Sequence, residues 1–132
     1  MSLYDFFYNS KTKTGALIIV ERNTPLDKYE LTGEPINADV NARLIENIFF
    51  KNSPLHDGAL IISDGMLSAA GCIMPVSHDT SLPRYLGLRH RAALGIVQAT
   101  DAIAIVVSEE TGNISLAYKG QLYTKLNSTD LE

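Results

Sequence analysis

Residues 58–75 read GALIISDGMLSAAGCIMP, and the pair Asp64-Gly65 divides the stretch into two apolar runs. Asp-Gly between apolar segments is a strong hairpin signal, because a two-residue turn that follows the strand twist needs positive φ at both positions and these residue types accept it. The spacing predicts a strand over 58–63, a tight turn, and a returning strand over 66–75 that ends at Pro75, where the chain loses a backbone donor.

Upstream of the hairpin, residues 15–21 (GALIIVE) form a short continuous apolar run rich in β-branched side chains, the pattern of a strand buried on both faces. Pro25, Gly33 and Pro35 then interrupt regular structure, and Asp39 is placed to cap a helix carrying Val40, Leu44, Ile45, Ile48 and Phe49 on one side. Downstream, residues 77–87 are polar and contain Pro83, as in a surface loop. A helix is predicted from Leu88 to about Thr100, with Gly95 tolerated inside it. Residues 102–108 read as a strand, 109–113 as a turn and 114–118 as the strand that returns.

A chain of 132 residues with 45% hydrophobic content supports one domain, burying roughly two-thirds of its unfolded surface. The net charge of -4 argues against broad adhesion to nucleic acid or anionic lipid and leaves room only for a local basic pocket and a small anionic partner. The lone Cys72 excludes an internal disulfide and reads as a small hydrophobe in a reducing, cytoplasmic compartment. Apolar runs such as 102–107 are too short to span a bilayer as a helix, and no secretory signal opens the chain. The cluster Leu3, Tyr4, Phe6 and Phe7 has little sequence ahead of it to cover it, which suggests a domain trimmed from a longer parent.

Two strings carry chemistry. Arg89-His90-Arg91 falls in the first turn of the predicted helix, where unpaired N–H groups and the positive dipole end already favour an anion. The plain alternative is a pair of solvated or salt-bridged arginines. Asp57-Gly58-Ala59 opens an apolar strand, with His56 just before it. There Asp57 can take a proton from an attacking hydroxyl or help hold a divalent ion, or it can simply bond nearby turn amides. His56 is a candidate ligand for metal or phosphate, or a hydrogen-bonded residue ending the strand. Ser108-Glu109-Glu110 ends another apolar run, and Glu110 is the preferred carboxylate there, against a solvated acidic turn. His78 lies in the polar loop and takes no role. Helical histidine pairs and cysteine clusters are both missing, which argues against structural zinc. The Walker A and dinucleotide-binding glycine patterns are missing too, so any phosphate site is built differently.

The segments KTKTGALIIVER, PLHDGALII, LGLRHRAALG and IVVSEETGNISLAYKG follow one another across nearly the whole chain. In that order they resemble the catalytic domain of the diadenylate cyclases, which join two ATP molecules into the second messenger cyclic di-AMP. The resemblance implies an α/β fold, a central mixed β-sheet flanked by helices, with residues 1–132 as a single catalytic domain. It implies that each protomer binds one ATP with Mg2+ or Mn2+, and that two protomers meet face to face as a homodimer. Carried over by position, Asp57, Arg89, His90 and Arg91 are catalytic, and Gly58, Ala59, Met74, Leu88, Ser108 and Glu110 contact the nucleotide. His56, Asp57 and Glu110 are the metal candidates. The family often places this domain after membrane-spanning helices, so the parent is expected to be membrane-attached with this domain in the cytoplasm. Leu88 is a departure, since the family commonly has threonine there and leucine offers no phosphate-bonding hydroxyl; Thr80 or Ser81 is placed to compensate. A catalytically silent nucleotide sensor is the alternative reading, and an assembly domain using Tyr4, Phe6 and Phe7 is a third.

Overall fold

The computed structural model describes residues 14–79, 81–83 and 86–124; Leu3, Tyr4, Phe6, Phe7 and Thr80 lie outside them. In chain order the elements are β1 (Ala16–Val20), α1 (Asp27–Glu30), β2 (Glu34–Asp39), α2 (Ala42–Phe49), β3 (Ala59–Ser63), β4 (Met66–Cys72), α3 (Leu88–Ala99), β5 (Ile103–Val107), β6 (Ile114–Tyr118) and β7 (Gln121–Tyr123). The described strands form one sheet in the order β2-β4-β3-β1-β5-β6-β7. Only β1 and β3 run parallel among these pairs, so the sheet is mixed.

The hairpin forms where Asp64-Gly65 predicts it. Asp64 has φ 53° and Gly65 φ 73°, the two positive values the turn requires, and Ser63 pairs with Met66 across it. β4 stops at Cys72, short of Pro75. The chain leaves the sheet there because residues beyond it are recruited as a strap over α3: the Ser77 N–H donates to the Arg91 carbonyl at 2.9 Å. Gly95 is required by this packing, not merely tolerated. A Cβ built on it would lie 1.9 Å from the Pro75 carbonyl oxygen, a backbone atom that cannot swing aside.

Strict alternation along the central strands builds two cores. Leu17 and Ile19 of β1, Ala59 and Ile61 of β3, and Ala104 and Val106 of β5 pack with Ala93, Leu94, Ile96 and Val97 of α3. Their neighbours Ala16, Ile18, Leu60, Ile62, Ile105 and Val107 pack on the other face with Ile45, Ile48 and Phe49 of α2. Both faces being covered is why these strands read as unbroken apolar runs. Helix α3 is buried continuously from Ala92 to Val97, since the sheet covers one side and the strap approaches another.

Four elements depart from the sequence expectation. The cap of α2 is Asn41, whose Oδ1 accepts from the Leu44 N–H at 2.8 Å, while Asp39 closes β2 and Val40 is exposed. β2 forms despite Pro35 because it lies at the sheet edge, where a missing donor is tolerated, and its pairing with β4 shifts register between Pro35 and Ala38. The short α1 and β7 add a turn of helix and a second edge.

Candidate active site

Strand directions gather the chemistry at one end of the sheet. Ile18 of β1 lies beside Leu60 of parallel β3, Ala16 opposite Val107 of β5, and Ala59 opposite Cys72 of β4. The residues before β1 and β3 and those after β4 and β5 therefore share an edge. These include Gly15, Asp57 and Gly58, Ile73 and Ser108. Helix α3 starts there as well: Arg89 Nη2 donates to the His56 carbonyl at 3.2 Å.

A cavity of about 440 Å³ opens between these segments. Its apolar lining includes Leu17, Ala59, Met74, Val76, Ala92 and Val107, and its polar lining Asp57, Arg89, His90, Ser108, Glu109 and Glu110. A largely apolar wall with a few charged groups suits a ligand that is planar and hydrophobic at one part and ionic at another. Among the described residues no side chain caps the start of α3 at Gly87, so the first-turn amides retain their capacity for an anion.

The His56 ring stands between Ser53 and Asp57. His56 Nδ1 lies 2.8 Å from the Ser53 carbonyl, which can only accept, so Nδ1 carries the proton. His56 Nε2 then faces Asp57 Oδ1 at 3.0 Å. An imidazole lone pair facing a carboxylate oxygen makes a place for a hydrogen-bond donor or a cation held by both atoms. The Asp57 side chain is 86% exposed, so it remains open to a ligand. Gly58 serves packing: its missing Cβ would lie 2.4 Å from Gly71 Cα, where β3 and β4 cross closely. Its backbone and Ala59 line the cavity.

The Arg-His-Arg string divides. Residues two apart on a helix point to nearly opposite sides. Arg89 and His90 line the cavity, whereas Arg91 is absent from its lining and donates through Nη1 to the Asp79 carbonyl in the strap at 3.1 Å. Arg91 therefore does not join the phosphate-facing group that the sequence suggested. His90 is half-buried, and burial first, then the charge of Arg89, holds its pKa below the ordinary histidine value. It is thus neutral near pH 7 and can donate or accept a single hydrogen bond.

Ser108 organises the acidic turn. Its hydroxyl accepts from the Glu110 N–H at 3.3 Å and its carbonyl from the Gly112 N–H at 2.8 Å, presenting both glutamates at the cavity. Sequence reasoning preferred Glu110 and passed over Glu109, whose Oε2 lies 4.0 Å from Arg89 Nη1. A turn has no periodicity to say which of two adjacent carboxylates faces inward. Leu88 lines the cavity and is 71% exposed. Ser81, proposed as its hydroxyl substitute, instead bonds Asp79 through both N–H and Oγ and is not part of the lining. Cys72 borders the cavity from the core; burial, then the negative charge of Glu30, pushes its thiol up to about 11, so it stays protonated. His78 is outside the lining.

A cationic helix start and the Asp57 carboxylate sharing one partly apolar cavity define a nucleotide-binding domain; His56 pairs with Asp57 but is outside the lining. The chain belongs to the family described as DisA bacterial checkpoint controller nucleotide-binding (DAC), whose model matches residues 6–122. It is 45% identical to the cyclic di-AMP synthase CdaA of Bacillus subtilis, over 95% of this chain and 46% of that protein. It is 48% identical to a diadenylate cyclase of Listeria monocytogenes, over 94% of this chain and 45% of that protein. In three dimensions it matches a double mutant of DacA from Staphylococcus aureus with a TM-score of 0.90 at 38% identity, over 95% of this chain and 83% of the other. It also matches a hypothetical membrane spanning protein from Bacillus cereus with a TM-score of 0.82 at 45% identity, over 87% and 56% of the two chains. The chain spans about half the length of the curated relatives it matches. The expected mixed sheet with flanking helices is borne out by the fold and by the DacA match. Among the described residues no helix is long and apolar enough to cross a membrane.

Proposed function

We propose that this domain is the catalytic part of a diadenylate cyclase, converting two ATP into cyclic di-AMP and two pyrophosphates. The observation that carries the reading is the convergence of Asp57, which pairs with His56, and the Arg89-bearing helix start on one cavity. The purine fits against Leu17, Met74 and Val107, and the triphosphate lies toward Arg89, His90 and the first amides of α3. Asp57 accepts the proton of the 3'-hydroxyl as that oxygen attacks the α-phosphate of a second ATP, and pyrophosphate leaves in line. Arg89 steadies the charge on the phosphoryl oxygens, and neutral His90 donates one hydrogen bond to them.

The Asp57 and Glu110 carboxylates of the cavity lining suit a hard divalent cation such as Mg2+ or Mn2+, and His56 Nε2, beside Asp57 but outside that lining, is a further candidate ligand. Such an ion supplies positive charge to the phosphates when bound. Each cavity holds one nucleotide, and ring closure joins two, so the active unit is a homodimer with its cavities opposed. This domain is the catalytic part of a longer parent that is membrane-attached outside this segment, with this domain in the cytoplasm.

A silent nucleotide sensor is favoured by one observation, exposed Leu88 at the uncapped helix start where a hydroxyl would bond phosphate. Incubation with ATP and Mg2+ or Mn2+, with products resolved by mass, separates the two readings. Cyclic di-AMP formed with specific activity rising with protein concentration is the expected result. Bound ATP with no product overturns the cyclase in favour of the sensor.

A further inference from the structure

Gly15 sits just before β1, at the sheet end that carries the cavity, and its φ is not in the left-handed region. Conformational freedom therefore does not explain a glycine there. Space does. A Cβ on residue 15 would lie 2.6 Å from Arg89 Nη1, 2.9 Å from Arg89 Cζ and 3.1 Å from the Cβ of Glu109. We infer that Gly15 is a positioning residue for the nucleotide site, its bare backbone forming the seat on which the Arg89 guanidinium rests.

The bonds around Arg89 are few. Nη2 donates to the His56 carbonyl at 3.2 Å, Nη1 stands 4.0 Å from a Glu109 carboxylate that is 61% exposed, and buried Nε has no partner among the described residues. Among the described residues, one hydrogen bond and one long, solvated ion pair leave a planar cation on a long stem poorly fixed. Contact with the Gly15 backbone supplies the missing wall, and it lets the guanidinium reach the carbonyl of His56, the residue preceding Asp57. Seat, cation and carboxylate are thus linked across the ends of β1, α3 and β3. A methyl group at residue 15 meets the tip of a flexible side chain and the Cβ of an exposed one, with no backbone atom among its nearest contacts. The fold should accept it while Arg89 moves.

The inference rests on the nucleotide reading of the cavity, and the test separates the two. ATP and adenosine are titrated calorimetrically into wild type, Gly15→Ala, Arg89→Ala and the double variant, with Tm measured for each. The expected result is a roughly tenfold loss of ATP affinity in Gly15→Ala, the scale of one charge-assisted hydrogen bond to phosphate, with adenosine affinity and Tm unchanged. In the Arg89→Ala background the same substitution should cost less than about twofold, because the group it displaces is gone. An equal loss in both backgrounds, an equal loss for adenosine, or unchanged ATP affinity overturns the positioning role while leaving the nucleotide reading standing. A Gly15→Ala chain that fails to fold overturns it too, since only side-chain atoms stand in the way. Wild type that binds no ATP overturns the nucleotide reading itself, and the seat with it.

Discussion

The molecule contains two Asp-Gly pairs near one another in sequence, and they do different work. At Asp64-Gly65 the backbone does everything: both residues have positive φ, and nothing lies within 4 Å of where a Gly65 Cβ would stand. At Asp57-Gly58 neither residue has positive φ; the carboxylate meets His56 Nε2, and the glycine is there because Gly71 crosses at close range. The same dipeptide is a turn signal in one place and, in the other, a reactive group placed beside a packing contact. What separates them is long-range, namely which strand crosses behind the glycine and which helix start faces the aspartate.

The sharpest break between the pairs should be in turnover. Asp57→Asn removes the proton acceptor with little change of shape and should lower cyclic di-AMP formation by roughly 10² to 10⁴, measured by chromatography of the products. Asp64→Asn should leave turnover within about twofold of wild type, because asparagine accepts the same left-handed backbone. Equal losses in the two variants would erase the functional distinction.

A smaller difference should appear in stability. Gly58→Ala forces a methyl group against the Gly71 backbone and should cost about 1–3 kcal/mol in urea unfolding. Gly65→Ala meets open space and bears only the conformational cost of positive φ, about 1 kcal/mol. If Gly65→Ala proves the more destabilising, the close crossing of β3 and β4 is not what Gly58 serves.

The smallest effect concerns pH. Because the folded-state pKa of His90 is lowered by burial and by Arg89, the unfolded chain binds the proton more readily. Its contribution is complete above the unfolded value near 6.5 and is lost as pH falls through that value toward the lower folded one. His90→Gln should flatten the decline of Tm below about pH 6.5. An unchanged slope would place the titration elsewhere.

Much of this was legible in the sequence, for reasons that can be named. The hairpin rests on local turn chemistry, and the buried strands on unbroken apolar runs, so both were readable. β2 was not, because Pro35 breaks a central strand and nothing local says that this strand lies at an edge. The α2 cap was misplaced from Asn41 to Asp39 because both residue types cap helices and only the backbone decides between them. Within the site, the pairing of Asp57 with Arg89 followed from motif order. The separation of Arg89 from Arg91 was available from helix geometry, as residues two apart diverge. The seat at Gly15 was not available, since it depends on a residue 74 positions away, a contact that no local pattern encodes.

The most direct measurement is a crystal structure of the domain with a non-hydrolysable ATP analogue and Mg2+. The account predicts the triphosphate within hydrogen-bond reach of Arg89 and the first amides of α3, with the purine against Leu17 and Met74. A nucleotide bound elsewhere, for instance in the pocket lined by Thr32, Leu55 and Gly71, would contradict it.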